Sequence, residues 1–135
     1  MNDTQKQILL KIARDTVEAV IKGKPASVPQ SDDPELNAHC GCFVTLKNHG
    51  RLRGCIGNFT SDNPLIELVA EMAKASATSD PRFFADCISA TELDQLDIEI
   101  SVLKRLIVVV IPVIDSIEHL LFAIKCPGLN IAASI

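Results

Sequence analysis

Hydrophobic and polar positions along this chain repeat with two different periods, and the periods mark its elements. From Thr4 to Lys22, Ile8, Leu9, Ile12, Val17, Val20 and Ile21 recur near the helical repeat with charged and amide side chains between them. That spacing predicts an amphipathic helix. Thr4 or Asp3 is placed to cap its start, and Gly23 with Pro25 to end it. Composition then shifts to Pro, Ser and Asp as far as Asn37, a surface loop. Cys42 to Asn48 is rich in strand formers, Asn48-His49-Gly50 supplies a turn, and Leu52 to Phe59 returns as a second strand. A β-hairpin is expected there.

A second helix follows. Asp62 or Asn63 caps it, Pro64 sits in its first turn, and Leu65, Leu68, Val69, Met72, Ala73 and Ser76 share one face. The small residues Ala73, Ala75, Ser76 and Ala77 allow it to lie close to a sheet. After the loop Ser79 to Phe83 comes a third strand, Leu96 to Leu103, with Leu96, Ile98, Ile100 and Val102 inward and Asp97, Glu99 and Ser101 outward. Beyond it, Arg105 to Ile111 reads as another strand, Ser116 to Ile124 as a short helix and Leu129 to Ala132 as a last strand. Helices set among antiparallel strand runs, without strict β-α-β alternation, predict an α+β fold: an antiparallel β-sheet flanked by helices, forming one domain over residues 1–135.

Composition narrows the function classes. Apolar residues make up 47% of the chain, ample for a core. A formal net charge of −4 and the lack of any basic run argue against a nucleic-acid surface. There is no Trp or Tyr to build a stacking platform for single strands. The apolar run Leu106 to Ile114 is about half the roughly 20 residues a membrane span needs. Five cysteines, an odd number, and a start without a basic or apolar leader pattern predict a cytoplasmic protein with reduced thiols.

The hexapeptide Leu52-Arg53-Gly54-Cys55-Ile56-Gly57 resembles the signature of the AMMECR1 (AMMECR-one) domain family. Pro64-Leu65, Asp80-Pro81-Arg82-Phe83 and Ile98-Glu99-Ile100-Ser101-Val102-Leu103 follow in the family's order and spacing, so the resemblance covers about residues 4–103. It implies an α+β domain in the cytoplasm. It also implies an association with Memo-like and radical-SAM proteins, which hints at an enzyme system without assigning a reaction. Residues 104–135 depart from the family pattern: they are strongly apolar, and a closing segment like LLPQV is missing. The expectation is a reading frame shifted or truncated near residue 103.

Alternation along the signature strand sets Arg53, Cys55 and Gly57 on one face and Leu52, Gly54 and Ile56 on the other, with Leu52 and Ile56 in the core. Arg53 would then stand beside the Cys55 thiol and favour its nucleophilic form. Gly54 and Gly57 flank the thiol without bulk, so a small-molecule substrate or another stretch of backbone can approach closely. His49 at the turn is a candidate base, Asp80 and Arg82 a candidate anion clamp, and Ser101 a ligand contact if its face meets Cys55. The alternative is structural: a small buried cysteine in a tightly packed strand, with Arg53 paired to Glu99 or Asp97, and a domain that binds a protein partner without catalysis. His39-Cys40-Gly41-Cys42, with Cys55 and His49 as further donors, has weak metal-ligand spacing; Cys42 is expected to pack inward with Val44 and Leu46. No cofactor fingerprint is present.

Overall fold

The computed structural model describes residues 1–104; the strand expected over Arg105 to Ile111, the helix over Ser116 to Ile124 and the strand over Leu129 to Ala132 lie outside the described residues. Helix α1 runs over Asp3–Ile21. Its cap is Asn2 rather than Thr4 or Asp3: the Asn2 side chain accepts from the Gln5 amide, and the Gln5 side chain accepts from the Asn2 amide. That reciprocal pair satisfies two of the amides a helix start leaves open. The other end closes as expected at Gly23, whose φ is 67°. Gly23 donates to the Val20 carbonyl and Lys24 to that of Ala19, the two bonds of a Schellman ending.

Strands β1, Gly41–Asn48, and β2, Arg51–Asn58, form the expected hairpin. His49 and Gly50 both have positive φ, 49° and 77°, as the two central residues of a type I′ turn require. Helix α2 spans Leu65–Thr78. Pro64 stands before it as the cap residue instead of inside its first turn, and neither Asp62 nor Asn63 caps it. The first amides of α2, those of Leu65 and Ile66, are taken by the main-chain carbonyls of Ala38 and Leu36. Loop backbone thus does what a capping side chain does elsewhere. Two short 3₁₀ segments, Pro81–Phe83 and Ala90–Gln95, lead to strand β3 at Leu96–Leu103.

The three strands form one antiparallel sheet in the order β2-β1-β3. Leu9, Ile12, Ala13 and Val17 of α1 and Leu68, Val69, Met72 and Ala73 of α2 pack with Cys42, Val44, Leu46, Ile98 and Ile100. Both helices therefore lie on one face of the sheet. The fold is α+β, as the pattern predicts, and β3 keeps its alternation throughout.

Pairing between β1 and β2 shifts at one point. Leu46 lies opposite Gly54 and Lys47 opposite Leu52, so Arg53 is an extra, unpaired residue, a β-bulge. The bulge reverses side-chain parity along β2. Beyond it Gly54 and Ile56 share the core face with Val44 and Leu46, as expected. Before it Leu52 lies opposite Lys47 on the outer face and is half-buried, not in the core. Plain alternation fails at this residue because a strand with one inserted residue has two phases.

Candidate functional site

The bulge also decides what Arg53 does. Its side chain is buried. Nε and Nη2 donate to the two carboxylate oxygens of Glu92 at 3.0 and 3.1 Å, Nη1 donates to Asp86 at 2.8 Å, and Nη2 reaches the Cys87 carbonyl at 3.3 Å. This bidentate, charge-assisted set ties β2 to the segment between α2 and β3. Burial opposes the Glu92 carboxylate, but hydrogen bonds from Arg53, the Ser89 amide and Asn48 prevail and hold its pKa down at about 2. Two expectations for Arg53 are corrected here. Its guanidinium does not stand beside the Cys55 thiol to tune it, and its partners are Glu92 and Asp86, not Glu99 or Asp97. Glu99 pairs instead with Lys47 at 2.6 Å.

Cys55 is half-buried on the outer face, directly opposite Thr45. Its Sγ lies 3.0 Å from the Thr45 hydroxyl. The cation that reaches Cys55 is Arg82, and it reaches the main chain: Nη2 donates to the Cys55 carbonyl at 3.2 Å. Asp80 completes the clamp, accepting the Cys55 amide at 2.9 Å. Asp80 also accepts from the main-chain amide and the guanidinium of Arg82. Bonds from Arg82 and from the Cys55 amide outweigh the burial of Asp80 and hold its carboxyl well below the usual range. Asp80 and Arg82 therefore close the open edge of β2 at one residue, the geometry a neighbouring strand would supply. Arg82 additionally lies over the Phe83 ring, 5.6 Å from its centre.

The signature glycines are filled from inside the protein. A Cβ on Gly54 would run into the main chain of Ser76 in α2, and one on Gly57 into the Phe43 ring and the Cys42 carbonyl. Of the two approaches expected at Gly54, substrate or backbone, the structure shows the backbone of a helix. The Ser76 hydroxyl uses that closeness: it accepts the Ile56 amide at 2.9 Å and donates to the Val44 carbonyl at 2.8 Å, bridging both strands.

His49 is exposed at the hairpin turn. About five strand residues at ~3.3 Å each separate the turn from Cys55, roughly 16 Å, so His49 is not placed as its base. His49 instead borders a recess of about 350 Å³ with Asn48, Arg51, Arg53, Asp86 and Glu92. Ser101 does share the outer face with Cys55, but Phe43 and Thr45 stand between them. Across the sheet that face reads in rows: Gly57, Phe43, Ser101; then Cys55, Thr45, Glu99; then Leu52, Lys47, Asp97. Phe59 joins its margin, half-exposed and edge-on to Phe43 with ring centres 5.2 Å apart.

Cys42 packs inward beside Val44 and Leu46, as expected, and burial, then its neighbour Cys40, pushes its thiol up to about 12. Such a thiol is a poor source of the thiolate that a metal needs. Among the described residues no three His, Cys, Asp or Glu side chains stand together as a metal site, and no helix is long and apolar enough to cross a membrane.

The fold and this constellation define an α+β domain whose signature strand is clamped from three sides. Comparison with known proteins supplies the family. The AMMECR1 family model matches residues 10–132, and the chain belongs to that family. The match runs past residue 103, into the stretch where the family pattern was expected to fail. A protein of Methanothermobacter thermautotrophicus is 42% identical over 96 residues, covering 70% of this chain and 49% of its own length. Protein PH0010 of Pyrococcus horikoshii is 38% identical over 109 residues, 76% of this chain and 52% of its own. The crystal structure of PH0010, titled an uncharacterized protein, superposes with a TM-score of 0.67 over 76% of this chain and 53% of that one. The chain thus spans about half the length of the curated relatives it matches.

Sequence reasoning missed Thr45, Ser76 in its polar role, Asp86 and Glu92. One signal was present. Ser89-Ala90-Thr91-Glu92 has the S-x-x-E form of a capping box, and Glu92 does accept the Ser89 amide. Its second job, receiving Arg53, has no local signature.

Proposed function

We propose that this AMMECR1-family domain acts by binding a partner protein on the outer face of its sheet, with Cys55 as a contact residue and not a nucleophile. One observation carries the reading: the groups expected to activate the thiol, Arg53 and His49, are engaged or placed elsewhere, and the pair expected to clamp an anion is spent on the Cys55 main chain. Arg53 is held by Glu92 and Asp86, Asp80 and Arg82 clamp the Cys55 main chain, and His49 sits at the far turn. What the signature achieves is a stiff strand presenting Cys55, Thr45 and Phe43 on a broad face of mixed polarity, the anatomy of a docking patch. Memo-like and radical-SAM proteins, which the family resemblance brings to mind, are the first partners to test.

The test is calorimetric titration of such a partner into the wild type and into Thr45→Arg, which plants a long cation in the middle of the face. Binding is expected to vanish in the variant, and complex formation is expected to shield Cys55 from iodoacetamide while exposed Cys87 still reacts. Binding undisturbed by Thr45→Arg sinks the docking reading. A Cys55 that alkylates faster than Cys87 at neutral pH would instead favour a thiol enzyme, with the Thr45 hydroxyl at 3.0 Å as its first polar contact.

A further inference from the structure

A groove of about 510 Å³ lies on the helical side of the sheet, between α1, α2 and the loop after Gly23. On α1 it takes in Thr16 and Val20, four residues apart, and on α2 Glu67, Ala70, Glu71 and Lys74, three and four apart. Those spacings set each group on one face of its helix. Val20, Val28 and Ala70 give the groove an aliphatic floor, and Lys24 closes its rim from the loop. Lys24 is fixed there by its main-chain bond to the Ala19 carbonyl. The described chain ends elsewhere, at Lys104, which Glu35 holds next to Met1. Thr16 stands about 22 Å further along α1.

Two features of this groove point to a ligand. The first is Thr16, which is only 3% exposed. Its hydroxyl makes no hydrogen bond among the described residues, whereas Thr78 turns back onto the Lys74 carbonyl in the usual helical manner. Among the described residues the one fully buried side-chain polar atom without a partner is Asn48 Oδ1. The Thr16 hydroxyl therefore keeps the little surface that Thr16 has, and that surface faces the groove. The second feature is charge. Glu67 and Glu71 are like charges one turn apart, an unfavourable pairing on a helix, and Lys74 follows three residues on. None of Lys24, Glu67, Glu71 and Lys74 forms an ion pair among the described residues, although Lys6, Lys11 and Lys22 of α1 and its end all pair with near neighbours.

Charge selects the occupant. A simple anion entering the groove gains Lys24 and Lys74 but meets Glu67 and Glu71, and a simple cation meets the reverse. A ligand that carries both signs gains from both pairs. We propose that the groove binds a free aliphatic α-amino acid, of which leucine is the model. Its ammonium group faces Glu67 and Glu71, its carboxylate faces the lysines, and its hydrocarbon rests on Val20, Val28 and Ala70. The Thr16 hydroxyl supplies a hydrogen bond from the floor. An apolar floor with a few convergent polar groups, in a volume of this size, is the ordinary anatomy of a small-molecule site. It stands apart from the outer face of the sheet, so the docking proposal and this one succeed or fail separately.

The test is titration of L-leucine into the full chain, followed by methyl NMR. Saturable shifts are expected at the Val20, Val28 and Ala70 methyls, with those of Val44 in the core unmoved. L-Leucinamide, which lacks the carboxylate, and N-acetyl-L-leucine, which lacks the ammonium group, should each bind about two- to fivefold more weakly, the range exposed ion pairs support. Glu71→Lys should weaken leucine binding to a similar extent with unchanged circular dichroism. Thr16→Val, which keeps the shape and removes the hydroxyl, should weaken it as well, and Thr45→Arg on the outer face should not. Equal binding of all three ligands would show apolar contact without recognition of charge, and tighter binding of leucinamide would show a cation site. Either result overturns the proposal, as does the absence of shifts at the groove methyls with leucine.

Discussion

Gly54 shows how much one missing methyl group organises. Because it has no Cβ, the Ser76 main chain of α2 lies against β2 and the Ser76 hydroxyl bridges Ile56 and Val44. An alanine at this position must displace helix backbone, which has no rotamer to yield. Gly54→Ala is therefore expected to destabilise the fold by about 3 kcal/mol or more, at the upper end of overpacking changes. Ser76→Ala removes the bridge without adding bulk and should cost about 1–3 kcal/mol through the polar groups left behind. Urea midpoints of the two variants check both values; a Gly54→Ala protein as stable as the wild type would mean that α2 does not approach the strand this closely.

At the scale of elements, the bulge and the loop between α2 and β3 form one latch. Arg53 reaches out of β2 to Glu92 and Asp86, while Asp80 and Arg82 reach back to Cys55. Arg53→Ala leaves the mostly buried Glu92 carboxylate without its cation, a change expected to cost about 3 kcal/mol in thermal or urea unfolding. Arg53→Lys should rescue little, because an ammonium cannot serve both Glu92 oxygens and Asp86 in one plane. Acid probes the same latch. The folded-state pKa values of Asp80 and Glu92 are both depressed. Their contribution is therefore complete above the unfolded carboxylate range near pH 4 and is lost as pH falls through the folded values, toward about pH 2. Urea midpoints taken from about pH 5 down to 2 should fall steeply in wild type and less steeply in Asp80→Asn. An equal slope in that variant would remove Asp80 from the account.

For the whole molecule, the elements and their order were legible in the pattern, and the contacts between distant segments were not. The period-2 run of β3 gave its limits as found, Leu96–Leu103, because one face is buried along its whole length. The hairpin followed from Asn48-His49-Gly50 by local turn chemistry. Leu52 was misplaced because nothing in Leu52-Arg53-Gly54 announces an inserted residue, and the expected partnership of Arg53 with Cys55 fell with it. Arg53, Asp86 and Glu92 meet across 33 and 39 positions of sequence, a juxtaposition that only the packed fold creates. Asp80 and Arg82 were rightly read as a loop able to approach Cys55, yet the atoms they seize belong to its main chain. Since relatives are about twice as long as the stretch matched, their activities remain properties of a larger protein than these elements.

The start of α2 has a consequence for how the chain assembles. Its opening amides rest on the carbonyls of Leu36 and Ala38, a segment far upstream, whereas α1 carries its own fastenings at both ends. A synthetic fragment covering Met1 to Lys24 should show measurable helical dichroism in water, and one covering Ser61 to Ser79 almost none, since 14 helical residues without a nucleating terminus are marginal alone. Formation of the second helix then waits on arrival of the upstream loop, which makes helix and loop a single cooperative event and not two independent ones.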